Sequence, residues 1–190
     1  MDQALPRGDD DADTLFAAVG RTITSWEELE LQLAVLHSIF IGTPRTLDAL
    51  QEYGSRYGTV SPRIVAVERA GATYFIKHCD QAVEGKFKAL VQDIHALVLE
   101  RHRIAHGRVT AMPTHDLSER FFLGAPWYSI TKLKMDVAAM DSTMVIERGK
   151  AFQALCFRTF WFSEELSPSP LSEIPFRQQF RRNRDQSERD

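Results

Sequence analysis

The segment Glu100-Arg101-His102-Arg103-Ile104-Ala105-His106-Gly107 concentrates the side chains best suited to chemistry in this chain. Upstream, Phe87, Leu90, Val91, Ile94, Leu97 and Val98 recur at helical spacing and line one face at about 100° per residue. One more turn of that stripe lands on Arg101, with Ile104 and Ala105 beyond. A guanidinium on an apolar stripe costs several kcal/mol if it is dry and unpaired. Arg101 must therefore snorkel out at the helix end or face a polar pocket suited to an anion. His95, Leu99, His102 and His106 share an adjacent face at i, i+4, i+7 and i+11. Gly107 stands where a left-handed residue would close the helix. Arginine and histidine in a last turn also suit the helix macrodipole, so capping accounts for the same residues.

Competing constellations carry less. His102 and His106 at i, i+4, with His95, have helix-face spacing for a metal, but no HExxH glutamate accompanies them and no acid joins that face. His78-Cys79-Asp80 holds nucleophile-type residues, yet sequence neighbours on a helix point in different directions, and a buried structural thiol is expected there. Arg108 and His115 form a second Arg/His pair, but beyond Gly107 and with Pro113 between them. Trp26, Phe40, Phe87, Phe152 and Phe160 read as core aromatics. P-loop, dinucleotide and nucleophile-elbow patterns are absent from the sequence, and no cofactor is implied.

The elements that position the segment are helical. Asp13 is expected to cap a first helix in which Leu15, Val19, Ile23, Trp26, Leu29, Leu33, Leu36 and Phe40 keep three-to-four spacing until Gly42 and Pro44. A short helix around 44–54 follows; Ser61-Pro62 then reads as N-cap and first residue of a third. Asp80 caps the motif helix, about 81–106. From 108 to 130 the pattern shifts to strand-like runs with Pro and Gly between, giving a small β-hairpin or irregular insert. Helical periodicity resumes near 134 and runs to Leu166, with a break expected at Asp141-Ser142. The fold class is all-α, an antiparallel helical bundle with that insert. Residues 1–12 read as a disordered acidic tail, 13–167 as the domain, and 168–190 as a flexible Arg-rich tail.

Composition fits one such domain. Of 190 residues 44% are hydrophobic, enough for a proper core. Cys79 and Cys156 offer no disulfide framework and no zinc-ribbon spacing. The N-terminus lacks an apolar h-region and no run approaches membrane-spanning length, so a cytoplasmic protein without a membrane partner is expected. Net charge is −3, divided as −4 over 1–13, +2 over 177–190 and −1 between. A near-neutral body is not the footprint of a general duplex-DNA binder. Arg177, Arg181, Arg182, Arg184 and Arg189 read as a solvated tail.

Arg101-His102-x-x-x-His106 resembles the signature of the HEPN superfamily, helical domains that include many metal-independent RNases of prokaryotic defence and toxin systems: an Arg, a polar residue, then a His four to six residues after the Arg. His102 occupies the polar slot, where Asn is commoner. The resemblance implies a homodimer around the motif helix, with two Arg/His pairs meeting across a two-fold axis, and possible control by an antitoxin protein. It also implies RNA cleavage by the 2′-hydroxyl, with Arg101 stabilising the phosphorane, His106 moving protons at neutral pH and His102 positioning the phosphate. The superfamily's non-catalytic members imply the alternative of a module that binds nucleic acid, nucleotide or partner protein. Surplus apolar surface on the last helix, at Leu155, Cys156, Phe157, Phe160, Trp161 and Phe162, is compatible with a second subunit.

Overall fold

A computed structural model describes residues 7–43, 45–113, 118–125 and 139–167. Within them the chain forms α1 (Ala12–Ile41), α2 (Leu47–Tyr57), α3 (Val60–Lys77), α4 (Gln81–His106), β1 (Arg108–Pro113), β2 (Glu119–Gly124) and α5 (Ser142–Leu166). This is a helical bundle with a small antiparallel hairpin, as the periodicities predict. The strand-like run at 127–130 and the helical pattern at 134–138 lie outside the described residues.

α1 is the axis around which the others pack. Trp26, Leu29, Leu33 and Leu36 are buried along it against Phe152 and Leu155 of α5, Ile64 and Val67 of α3, and Leu90 and Ile94 of α4. Burying an aromatic of this size contributes several kcal/mol, and the Trp26 and Phe152 rings meet edge to face at 5.0 Å. Two glycines permit the closest approaches. A Cβ on Gly71 would sit 2.4 Å from the Phe87 ring, and one on Gly149 2.8 Å from Thr22 Oγ1.

Helix direction is mixed. α4 runs antiparallel to α1, α3 and α5: Phe87 meets Phe40, and Lys86 and Glu100 pair with Glu165 and Arg148. α3 is parallel to α1, because the short α2 carries the chain part of the way back before α3 starts beside Glu30.

The ends of the helices revise several expectations. Asp11, not Asp13, caps α1, its carboxylate accepting from Thr14 N at 2.7 Å. α2 is capped by Thr46 and runs to Tyr57. α3 begins at Val60 with Thr59 as N-cap; Ser61 and Pro62 fall inside its first turn, where proline's missing N–H has no partner to lose. Asp80 caps α4 as expected, accepting from Ala82 and Val83. Gly107 is not left-handed: its φ of −62° and ψ of 155° are extended and lead directly into β1. Glycine is needed there because a Cβ would lie 2.7 Å from both Arg103 O and Leu123 Cδ1. Asp141-Ser142 is a helix start, with Asp141 accepting from Met144 N.

The acidic leader departs from the expected disorder in its described part. Asp9 bridges to Phe121 on the free edge of β2, and its carboxylate accepts from Ser142 N at 2.8 Å. Residues 7–11 thus tie the hairpin to the start of α5, while residues 1–6 lie outside the described set.

Candidate functional site

Arg101 does sit on the buried stripe of α4, between Ile94 and Ile104, both of which are fully enclosed. It faces α1, where Nη2 lies 3.6 Å from Glu27 Oε1. The pair is lopsided: the arginine side chain is 19% exposed and the glutamate 56%. Arg101 Nε is enclosed and has no hydrogen-bond partner among the described residues. Neither snorkelling nor a dry pocket describes this arrangement; the guanidinium lies in the α1/α4 seam with one long carboxylate contact.

His102 and His106 are both exposed, their rings 4.6 Å apart and tilted by 55°. The i, i+4 spacing stacks them on one face. Partial burial, followed by the charges of His106 and Arg101, holds the His102 pKa below the ordinary imidazole value. The neutral ring is therefore favoured, and neighbouring cations cause part of that preference.

Arg101 and His106 leave the helix about 140° apart, since five residues span 500° at 3.6 per turn. Within one chain, then, His102 and His106 come together while Arg101 and His106 diverge. Around them, Glu100 Oε1 accepts from Arg103 at 2.8 Å and Glu100 Oε2 lies 3.5 Å from Arg148 Nε of α5. Three guanidiniums thus meet two carboxylates at this end of α4, a locally positive surface.

The remaining candidates separate from the site. His95 Nε2 lies 3.0 Å from Glu68 Oε1, beside a groove of about 410 Å³ between α3 and α4 floored by Phe75 and Phe87. Among the described residues no three His, Cys, Asp or Glu side chains gather as a metal ion would require. Cys79 is exposed rather than a buried thiol, because α3 ends one residue before His78 and leaves it in the connection. Cys156 is the buried one, its thiol pushed up to about 12, mainly by burial and then by Glu28. Arg108 is exposed on β1; His115 is outside the described residues.

Sequence patterns gave no warning of Glu27 or Arg148 beside the motif, since both sit among other charges on exposed faces. Nor was the acid of the buried core anticipated. Glu30 is 7% exposed, accepts from Trp26 Nε1 at 2.6 Å, and pairs with Arg63 of α3. Arg63 also donates to Gly54 O at 3.0 Å, and Tyr53 donates to Arg63 O at 2.7 Å, so one network joins α1, α2 and α3. Burial first, then the Glu30 charge, raises the Tyr53 pKa. A signal did exist: Glu30 is one turn from Trp26 and flanked by Leu29 and Leu33, on a stripe that must be buried.

No protein-family model, curated protein or solved structure matches this chain.

Proposed function

We propose that the chain is a cytoplasmic, metal-independent RNA endonuclease of the defence or toxin kind, working as a homodimer. The observation that carries the proposal is the last turn and a half of α4. There a partly exposed guanidinium, with a single long ion pair among the described residues, shares one helix end with two exposed, closely spaced imidazoles. In the reaction, the RNA 2′-hydroxyl attacks the adjacent phosphorus and the bond to the 5′ oxygen breaks, leaving a 2′,3′-cyclic phosphate and a 5′-hydroxyl. Arg101 stabilises the charge on the phosphorane. His106 carries protons from nucleophile toward leaving group, and His102, kept neutral, orients the phosphate. Because Arg101 and His106 diverge on one helix, a complete site needs the motif of a second copy, which is the reason for the dimer. An antitoxin protein is the natural regulator of such an enzyme.

The test is purified protein with mixed RNA in the presence of EDTA. Cleavage with cyclic phosphate ends is expected, and Arg101→Ala and His106→Ala should each lower it by about 10²–10³ without changing the circular dichroism spectrum. Arg108→Ala and His115→Ala, the pair off the helix, should be nearly silent. Sedimentation should give a dimer at tens of micromolar protein. A monomer, or no cleavage under any condition, would sink the enzyme.

One observation favours a second reading, a non-catalytic helical module that binds nucleic acid, nucleotide or a partner protein. The Arg101–Glu27 contact bridges α4 to α1 and gives the arginine a structural use. That reading prevails if RNA binds without turnover.

A further inference from the structure

A second surface lies about 15 Å along α1 from Glu27, counting ten residues at 1.5 Å each. Here α1 and α3, running parallel, leave an open groove of about 860 Å³. Phe40, Ile41, Ala66 and Ala70 form an apolar floor, and Arg69, Thr73 and Lys77 stand along one wall. Those three wall residues are spaced i, i+4 and i+8, so they present one continuous ridge of α3. Ile41 is 52% exposed in the floor and Ile76, next to Lys77, is 78% exposed.

The charge pattern is what gives this groove a direction. Several cations of the bundle are matched, Lys86, Lys88, Lys150 and Arg158 each pairing with a carboxylate, while Arg21, Arg56 and Arg108 have no ion pair among the described residues. Arg69 and Lys77 have no such partner among the described residues, and no Asp or Glu lines the groove. Its imidazole, His37, is held toward the neutral form by burial and then by Arg56. Two unmatched cations therefore stand on one wall of a groove whose α3 lining extends about 22 Å from Pro62 to Lys77, at 1.5 Å per residue.

We propose that this groove docks an acidic amphipathic helix of a partner protein. Length, floor and charge each bear on the occupant. About fifteen helical residues span the groove, their apolar side chains reaching the floor at i, i+3, i+4 and i+7 while acids meet Arg69 and Lys77. The chain's own C-terminal segment is the wrong sign, carrying five arginines over 177–190. Charge complementarity of this kind governs encounter rate and partner choice more than total affinity.

The test uses the full chain and a fluorescein-labelled peptide of about sixteen residues, long enough to span the groove. One version has Leu on one helical face and Glu on the rest, and its counterpart has Lys in place of every Glu. In anisotropy titrations the acidic peptide should bind saturably and gain helicity, and the basic one should not bind. Reversing the wall with R69E and K77E together should weaken the acidic peptide at least tenfold and admit the basic one. These two residues are exposed, so the unfolding transition should not move. Ala70→Trp, which fills the floor and keeps both charges, should also lose the acidic peptide. Equal binding of the two peptides, or unchanged affinity after the reversal, would overturn the proposal. So would a failure of both peptides to bind while R69E/K77E shifts the sedimentation coefficient, since a second copy would then be the occupant.

Discussion

Two arginines reach α1 from different helices, Arg63 from α3 and Arg101 from α4, and meet glutamates three residues apart, with different results. Arg63 pairs with Glu30, whose side chain is 7% exposed and whose other oxygen accepts from Trp26. Its second amino group donates to Gly54 and Gly58 carbonyls. Arg101 reaches Glu27, which is 56% exposed, at 3.6 Å, with no hydrogen bond to its guanidinium among the described residues. Both arginines leave Nε without a partner among the described residues, so that orphaned atom does not distinguish them. The distal nitrogens do. One guanidinium is engaged at both distal nitrogens and holds three helices in register; the other has its Nε enclosed but its distal nitrogens held by one long ion pair among the described residues.

The largest effect expected from this contrast is on stability. Removing one member of a buried, hydrogen-bonded ion pair strands the other charge and typically costs about 3–5 kcal/mol. Arg63→Ala and Glu30→Ala should each lower the urea midpoint by an amount of that order. Glu27→Ala should fall within about 0–1 kcal/mol, the range for pairs with an exposed member, and Arg101→Ala should cost more than Glu27→Ala through its buried stem but less than Arg63→Ala. Equal losses in the two sets would erase the distinction and make Arg101 a second brace, which would remove the physical basis for a phosphate site at α4.

How much of this contrast was readable before folding differs between the two arginines. Arg101 was legible because it interrupts a stripe that Phe87, Leu90, Val91 and Ile94 establish, and the helix boundaries around it, from Asp80 to His106, follow local capping rules. The fold class was legible for the same reason, since long amphipathic helices carry their period in every turn. Partners were not. Glu27, Glu30, Arg63 and Arg148 meet their partners only through the packing of α1 on α3 and α4 and of α4 on α5, and nothing in one helix's period specifies which residue of another it meets. Gly107 shows the limit at shorter range: its place after the helix was clear, but its extended backbone is set by Leu123 of β2, a tertiary contact.

A smaller effect should follow from releasing Arg101 instead of deleting it. Glu27→Gln removes the carboxylate paired with the guanidinium while keeping the side chain's shape. RNA affinity should rise by a few-fold, since the exposed pair it breaks is worth less than about 1 kcal/mol. Stability should scarcely change. Filter binding at fixed salt would measure the effect. An unchanged or lower affinity would mean that Glu27 orients Arg101 for its anion or that the anion never reaches it. Arg63 offers the control, because no exposed carboxylate holds it and no neutral substitution nearby should free it.

The finest probe is the titration of His102. Its pKa lies below the ordinary value through burial, then through the charges of His106 and Arg101, and His37 is lowered by burial and Arg56. For a histidine whose folded pKa is lowered, the unfolded chain takes up the proton first as pH falls. Stability from both groups should therefore be fully present above about 6.5, the unfolded value, and should decline as pH drops through it toward the folded values. Of the two arginines, only Arg101 should act on His102. Arg101→Ala removes a neighbouring positive charge and should raise the His102 pKa; Glu27→Gln leaves that charge less compensated and should lower it. Arg63→Lys, which keeps the charge beside Glu30, should leave it where it was. Following the His102 ring by proton NMR across pH 4.5–8 would read all three. An Arg101→Ala variant whose His102 titrates unchanged would show that the guanidinium and the imidazoles do not share one electrostatic site, and the two halves of the motif would then have to be treated as separate features of α4.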